Sequence, residues 1–209
     1  MENILNLNPE NRPIIVATAP SGAGKSTLIE LIEKRMKLGL HTISNTSRKM
    51  RDGEINGKDY HYNSLEEFKK LINEDYFLEW EEVYENSFYG TAKTEIPRIW
   101  SLGKIPLLDI DVNGALKVKK MFGKNALIIG IDVPGDTIEE KIETLRFRLE
   151  TRNRDSVESI TRRLKKADKE FKLMLQQKNF PDFIVCNSKK DFFEKDVLEI
   201  INNFISVTQ

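Results

Sequence analysis

A single cysteine, Cys186, excludes an internal disulfide framework and any metal site built from clustered thiolates. Standing alone, it is expected to be a small buried hydrophobe rather than a reactive thiol. Long apolar runs are missing too: nothing in the chain approaches the roughly 18 residues that a membrane span needs. The first residues, MENILNLNPENRP, are polar and carry no basic segment leading into an apolar one. No secretory leader is expected, and the protein is placed in the cytoplasm. Neither sign of charge is in excess. The 33 Lys and Arg balance 33 Asp and Glu, so the summed charge does not steer the chain to nucleic acid or an anionic membrane, and a basic site must be local. The two histidines, His41 and His61, lack a partner pattern for metal binding or acid–base work and read as structural. Internal repeats and low-complexity linkers are absent.

Buried strands are present. At 209 residues the chain can build one full core, alone or carrying smaller inserted lobes. Arg12 to Ala17 reads as a strand, followed by a Gly/Ser turn and a helix over Thr27 to Lys37 with Leu28, Leu31 and Ile32 on one face. Further buried strands are predicted at Ile105 to Ile110, Ala126 to Val133 and Phe183 to Cys186. With the helical segments between them, they make an α/β fold with a parallel sheet flanked by helices. Thr42 to Trp100 is too long and too rich in turn residues for a plain crossover, so it reads as an inserted lobe with a helix near Ser64 to Glu74. Ile138 to Phe171 reads as helical and rich in arginine, and Asp191 to Ile205 as an amphipathic surface helix.

The turn after the first strand carries chemistry. Ala19-Pro20-Ser21-Gly22-Ala23-Gly24-Lys25-Ser26-Thr27 fits the phosphate-binding loop in every fixed position but the first, where Ala19 replaces glycine. A loop between an apolar strand and a helix aims backbone N–H groups and the helix N-terminus at anionic oxygens. Ser21 to Thr27 are thus the ATP-binding candidates. Gly22 and Gly24 allow unusual dihedrals, Lys25 reaches the β and γ phosphates, Ser26 ligates magnesium, and Thr27 adds a phosphate contact. The methyl of Ala19 is tolerable provided its φ is negative.

Ser44-Asn45-Thr46-Ser47-Arg48-Lys49-Met50-Arg51-Asp52-Gly53-Glu54-Ile55-Asn56-Gly57-Lys58-Asp59-Tyr60, then Phe77-Leu78-Glu79-Trp80 and Tyr89-Gly90-Thr91, resembles the nucleotide-acceptor lobe of guanylate kinases. With the phosphate loop and the arginine-rich segment, the resemblance covers nearly the whole chain. It implies that Arg48, Arg51, Tyr60 and Tyr89 hold the phosphate of GMP, and that Ser44, Glu79, Thr91 and Asp111 recognise guanine. Two arginines three residues apart can present planar donor forks to one dianion. Guanine offers adjacent N1–H and N2–H donors that one carboxylate accepts together, and adenine does not, so Glu79 is the residue expected to separate GMP from AMP. Packing roles remain open for Tyr60 and Tyr89, and turn or strand hydroxyl roles for Ser44 and Thr91. Two departures stand out: Met50 replaces a proline common in the family, and Glu85 to Phe88 lengthens the approach to Tyr89.

Leu107-Leu108-Asp109-Ile110-Asp111 reads as an apolar strand ending in two acids on one face, at the end of the sheet where ligands collect. Asp109 is a magnesium candidate, through water or near Ser26; the alternative is a pair of turn or helix-capping acids. Arg148-Leu149-Glu150-Thr151-Arg152 and Arg162-Arg163-Leu164 look like the guanylate kinase lid. By that resemblance Arg148, Arg152 and Arg163 join Lys25 as catalytic candidates, with Arg152 also a candidate to stack on adenine. Arg146, Arg154 and Arg162 read as solvated. Ile184-Val185-Cys186-Asn187 resembles the family's last strand, which implies an adenine contact for Asn187; a turn role fits it equally well. The expected layout is a core (1–42, 100–137 and 166–209), a GMP lobe (43–99) and a lid (138–165). The expected reaction is Mg2+-dependent transfer from ATP to GMP, with dGMP as a further acceptor. Monomer and homodimer both remain open.

Overall fold

The computed structural model describes residues 12–84, 86–152 and 156–208. Along the chain run β1 (Ile14–Thr18), α1 (Lys25–Met36), β2 (Gly39–His41), β3 (Asn45–Thr46), β4 (His61–Tyr62), α2 (Leu65–Asn73), β5 (Phe77–Tyr84), β6 (Ser87–Ala92) and α3 (Glu95–Ser101). Then come β7 (Ile105–Ile110), α4 (Val112–Phe122), β8 (Ala126–Asp132), α5 (Ile138–Thr151), α6 (Val157–Gln176), β9 (Phe183–Cys186) and α7 (Lys190–Thr208). Asn153, Arg154 and Asp155, and Glu85 in the lengthened approach to Tyr89, lie outside the described residues.

Every residue of β1 is buried, as a parallel strand covered by helices on both faces requires. It pairs in parallel with β7 on one side and β8 on the other, giving the five-stranded order β2-β7-β1-β8-β9. All five strands therefore end on the same edge. Thr18 leads into the phosphate loop, Ala17 lies level with Asp109, and β9 delivers Asn187. The core around this sheet includes Leu28, Ile32, Leu107, Leu108, Ile128 and Phe171.

The segment after β2 forms a second sheet of order β4-β3-β6-β5 with its own small core. Phe68 of α2 is fully buried and stacks on Phe77, ring centroids 4.5 Å apart, with Phe88 beside them. Burial of such a ring contributes about 1.5–3 kcal/mol, which holds α2 against the β5/β6 hairpin. Ser64 starts α2 through a capping box with Glu67.

Several expectations shift. The first strand begins at Ile14, and α1 starts at Lys25, directly after the Gly24 cap. The helical stretch from Ile138 is two helices; Ser156 caps the second by accepting from Ser159 N–H. The expected lobe and lid limits at residues 99 and 165 fall inside α3 and α6. Ile96 of α3 belongs to the main core, and Leu164, Ala167, Phe171 and Met174 of α6 continue into it. Cys186 is exposed, contrary to expectation: β9 is an edge strand, and it is Val185 that turns inward. Met50 is exposed, so the absent proline costs no packing.

Candidate active site

The phosphate loop has the backbone that its glycines predict. Gly22 and Gly24 have φ of 92° and 117°, and Gly24 caps α1 without a side-chain bond, leaving the first-turn N–H groups facing the loop. Among the described residues, positive φ outside glycine occurs at Lys37, Asp75, Asn86 and Asn179. Ala19 therefore has negative φ; it is 1% exposed, so its methyl fills core at no backbone cost. Lys25 bends over the loop and donates from Nζ to the Ala19 carbonyl at 2.7 Å. Ser26 and Thr27 are exposed at the helix start.

Two arginines from α5 and α6 reach this loop. Arg148 donates to the carbonyls of Ala23 (3.2 Å) and Asn187 (2.6 Å), and the Asn187 amide donates to the same Ala23 carbonyl at 2.8 Å. Burial, and after it the charge of Arg152, moves the Arg148 pKa below the usual arginine value. Arg163 donates to Ser21 Oγ at 2.6 Å. Arg152 is exposed at the end of α5. A Cβ on Gly24 would lie 2.2 Å from Asn187 Nδ2, at a φ that side chains rarely adopt. Gly24→Ala should therefore raise KM for ATP at least tenfold, from strain of about 1–3 kcal/mol. Steady-state titration of ATP checks it; an unchanged KM contradicts the loop geometry.

Facing the loop, Arg48 is held from several sides. Its Nη1 and Nη2 donate to the two oxygens of Glu54 at 2.7 and 2.8 Å, and its Nε donates to the Tyr89 hydroxyl at 3.2 Å. Its guanidinium lies 5.2 Å from the Tyr60 ring centroid and 5.7 Å from that of Tyr62. Glu54 also accepts from the Arg51 backbone N–H and the Tyr62 hydroxyl. These donors, Arg48 first, hold its carboxyl at about 2. Tyr60 thus contributes a ring face as well as a hydroxyl, which burial pushes up to about 12. Glu54 was not singled out in the sequence, because a partner six residues away across a loop has no periodic signature.

Glu79 is 5% exposed. Its Oε1 accepts from the Thr91 N–H (3.0 Å) and hydroxyl (2.7 Å), so Thr91 acts here by orienting the carboxylate. Burial raises Glu79 to about 7, and the charge of Asp111 adds to the shift. Asp111 lies just past β7 and takes the capping role considered for it. One oxygen caps α4 at Gly114 N–H (2.8 Å), and the other pairs with Lys166 Nζ (2.9 Å). Asp109 meets His41 Nε2 at 2.9 Å, so His41 has a partner that the sequence pattern did not disclose.

A cavity of about 270 Å³ joins the two sides. Ser21, Lys25 and Arg163 line it from the loop side; Ser44, Arg48, Arg51, Tyr60, Glu79 and Tyr89 line it from the second sheet, with Asp109 and Asp111 between. Arg148, Arg152, Thr91 and Asn187 do not line it. Glu81, Lys166 and Glu170 do, and they were missed. Glu81 was legible from the period of two along β5, and Lys166 from its place one turn beyond Arg163.

The profile of the family described as Guanylate kinase matches residues 10–204. The chain belongs to the guanylate kinase family. A guanylate kinase of Porphyromonas gingivalis is 46% identical over 158 residues, covering 75% of this chain and 81% of that protein. One of Salinibacter ruber is 38% identical over 94% of this chain and 98% of its own length. Among solved structures, guanylate kinase from Anaplasma phagocytophilum superposes with a TM-score of 0.65 at 27% identity, covering 95% of this chain and 87% of that one.

Proposed function

We propose that the protein transfers the γ-phosphoryl group of ATP to GMP, giving ADP and GDP, and accepts dGMP as well. The observation that carries this reading is the buried, oriented Glu79 across one cavity from Lys25. An ionised Glu79 accepts the adjacent N1–H and N2–H of guanine; a base without that donor pair leaves a buried carboxylate unpaired. Ser44 and Asp111 complete the base site, and Thr91 orients Glu79. Arg48, Arg51, Tyr60 and Tyr89 bind the acceptor phosphate. Arg48 keeps one N–H donor beyond those given to Glu54, the Tyr89 hydroxyl and the Lys49 carbonyl.

On the donor side, Ser21 to Thr27 cradle the ATP phosphates, and Asn187, packed against Ala23, is the adenine contact that the family resemblance implies. The acceptor phosphate is already anionic, so no general base is required and the chemistry is positioning plus charge stabilisation. Lys25, Arg148 and Arg163 supply that charge, with exposed Arg152 able to join when α5 and the start of α6 close as a lid and exclude water. For Mg2+, the residues fit: the Ser26 hydroxyl and the Asp109 carboxylate are hard oxygen donors flanking the loop. Among the described residues no three His, Cys, Asp or Glu side chains gather to hold a metal, which suits an ion held chiefly by nucleotide phosphates. When bound there, Mg2+ neutralises charge on the β and γ oxygens. A cytoplasmic setting goes with these substrates; among the described residues no helix is long and apolar enough to cross a membrane.

The rival is a noncatalytic binding module on the same fold, which the intact Gly24-Lys25-Ser26-Thr27 run disfavours. A coupled ADP-release assay with GMP, dGMP, AMP, CMP and UMP tests the reading. Turnover with GMP and dGMP and at least a thousandfold lower efficiency with AMP is expected, on the order of what a hydrogen-bonding site achieves against an analogue lacking the donors. No turnover with GMP would leave the binding module as the better account.

A further inference from the structure

Glu79, Glu81 and Asp111 bring three carboxyl groups to one wall of the cavity. Two of them converge closely. A Cβ built on Gly114 would lie 2.9 Å from Glu79 Oε2 and 3.4 Å from Asp111 Oδ1, so these two carboxylates flank a single glycine. Like charges this close disfavour one another's ionisation unless a cation stands between or beside them. The cation is Lys166 of α6. Its Nζ lies 2.9 Å from Asp111 Oδ2 and 3.7 Å from Glu170 Oε1, and its side chain lines the cavity. Lys117 on α4 is the other nearby cation, but its Nζ is bound to the Trp80 carbonyl and sits over the Trp80 ring. The charge of Lys25 also acts on Glu170.

We infer that Lys166 is a positioning residue for the acceptor base, fixing the Asp111 carboxylate by an ion pair on the cavity wall that Glu79 shares. This rests on the reading of Glu79 as the guanine-binding group. Asp111 is tied at both oxygens, to Gly114 N–H and to Lys166, so losing the lysine frees its orientation as well as its charge. Arg163, one turn earlier on α6, reaches Ser21 of the phosphate loop. A single helix face thus holds both substrate sites, the donor site through Arg163 and the acceptor site through Lys166.

The test compares wild type with Lys166→Met, Lys166→Gln and Lys166→Arg, measuring KM for GMP, KM for ATP and kcat at pH 7. Wild-type turnover of GMP checks the underlying reading separately. Expected for Met and Gln is a rise in KM for GMP of about tenfold, the scale of a lost charge-assisted hydrogen bond. The kcat and the KM for ATP should stay within about twofold of wild type. Arginine should restore most of the affinity, and in an Asp111→Asn background Lys166→Met should add less than about twofold. An unchanged KM for GMP in either neutral variant overturns the inference, as does a full effect persisting in the Asp111→Asn background. Should one neutral variant not fold, the other gives the same reading.

Discussion

Lys25→Ala should lose phosphoryl transfer, with kcat down about 100- to 1000-fold, the scale for removing one donor aimed at developing charge. Lys25 stands at the start of α1, where Gly24 leaves the helix without a side-chain cap and the loop backbone turns toward the cavity. Its ammonium, now on the Ala19 carbonyl, is within a side-chain swing of any phosphate held by the loop. Alanine also removes a cation that acts on Glu170, whose carboxyl burial raises to about 7, while the Lys166 charge stays beside that carboxyl. GMP affinity, measured by equilibrium titration without ATP, should therefore stay within a few fold of wild type. Retained turnover would remove Lys25 from the mechanism.

Glu79→Gln should separate stability from function. Unfolded, this carboxyl ionises near 4.5; folded, burial holds its proton to about 7. Between these values the folded state binds more protons, so stability falls as pH rises. The cost is absent below about 4.5 and complete above about 7, where it amounts to about 3 kcal/mol. Glutamine has no such cost and can still accept from Thr91. The variant should thus be more stable than wild type at pH 8 by up to about 3 kcal/mol, a gain that vanishes toward pH 4.5. Glu170 titrates alike in both proteins and cancels. The same variant presents an amide where guanine needs two acceptors, and its preference for GMP over AMP should fall about a thousandfold. Urea denaturation at pH 5 and pH 8, with acceptor kinetics, reads both effects; equal stabilities at pH 8 would show that Glu79 is not a costly buried charge.

The loop Ala19 to Thr27 and the strands over Ile105 to Ile110 and Phe183 to Cys186 were legible because a buried parallel strand and a phosphate loop each leave a contiguous signature. Family resemblance named Glu79, Arg48 and Asp111. What neither route could supply was the partner of each charge. Glu54 on Arg48, His41 on Asp109 and Lys166 on Asp111 are set by tertiary approach, and separations of 6, 68 and 55 residues carry no periodicity. Exposure of Cys186 escaped for a related reason. Whether a strand lies at a sheet edge is a property of the whole strand order, which the four residues Phe183 to Cys186 do not encode.

The unbroken course of α6 has a mechanical consequence. Ile160 and Leu164, on either side of Arg163, are buried in the same core as Phe171 and Met174. Arg163 thus leaves the helix between two anchored turns, and its reach to Ser21 is fixed by packing on both sides. Core substitutions at Ile160 or Leu164, which touch no nucleotide, therefore shift the position of that guanidinium.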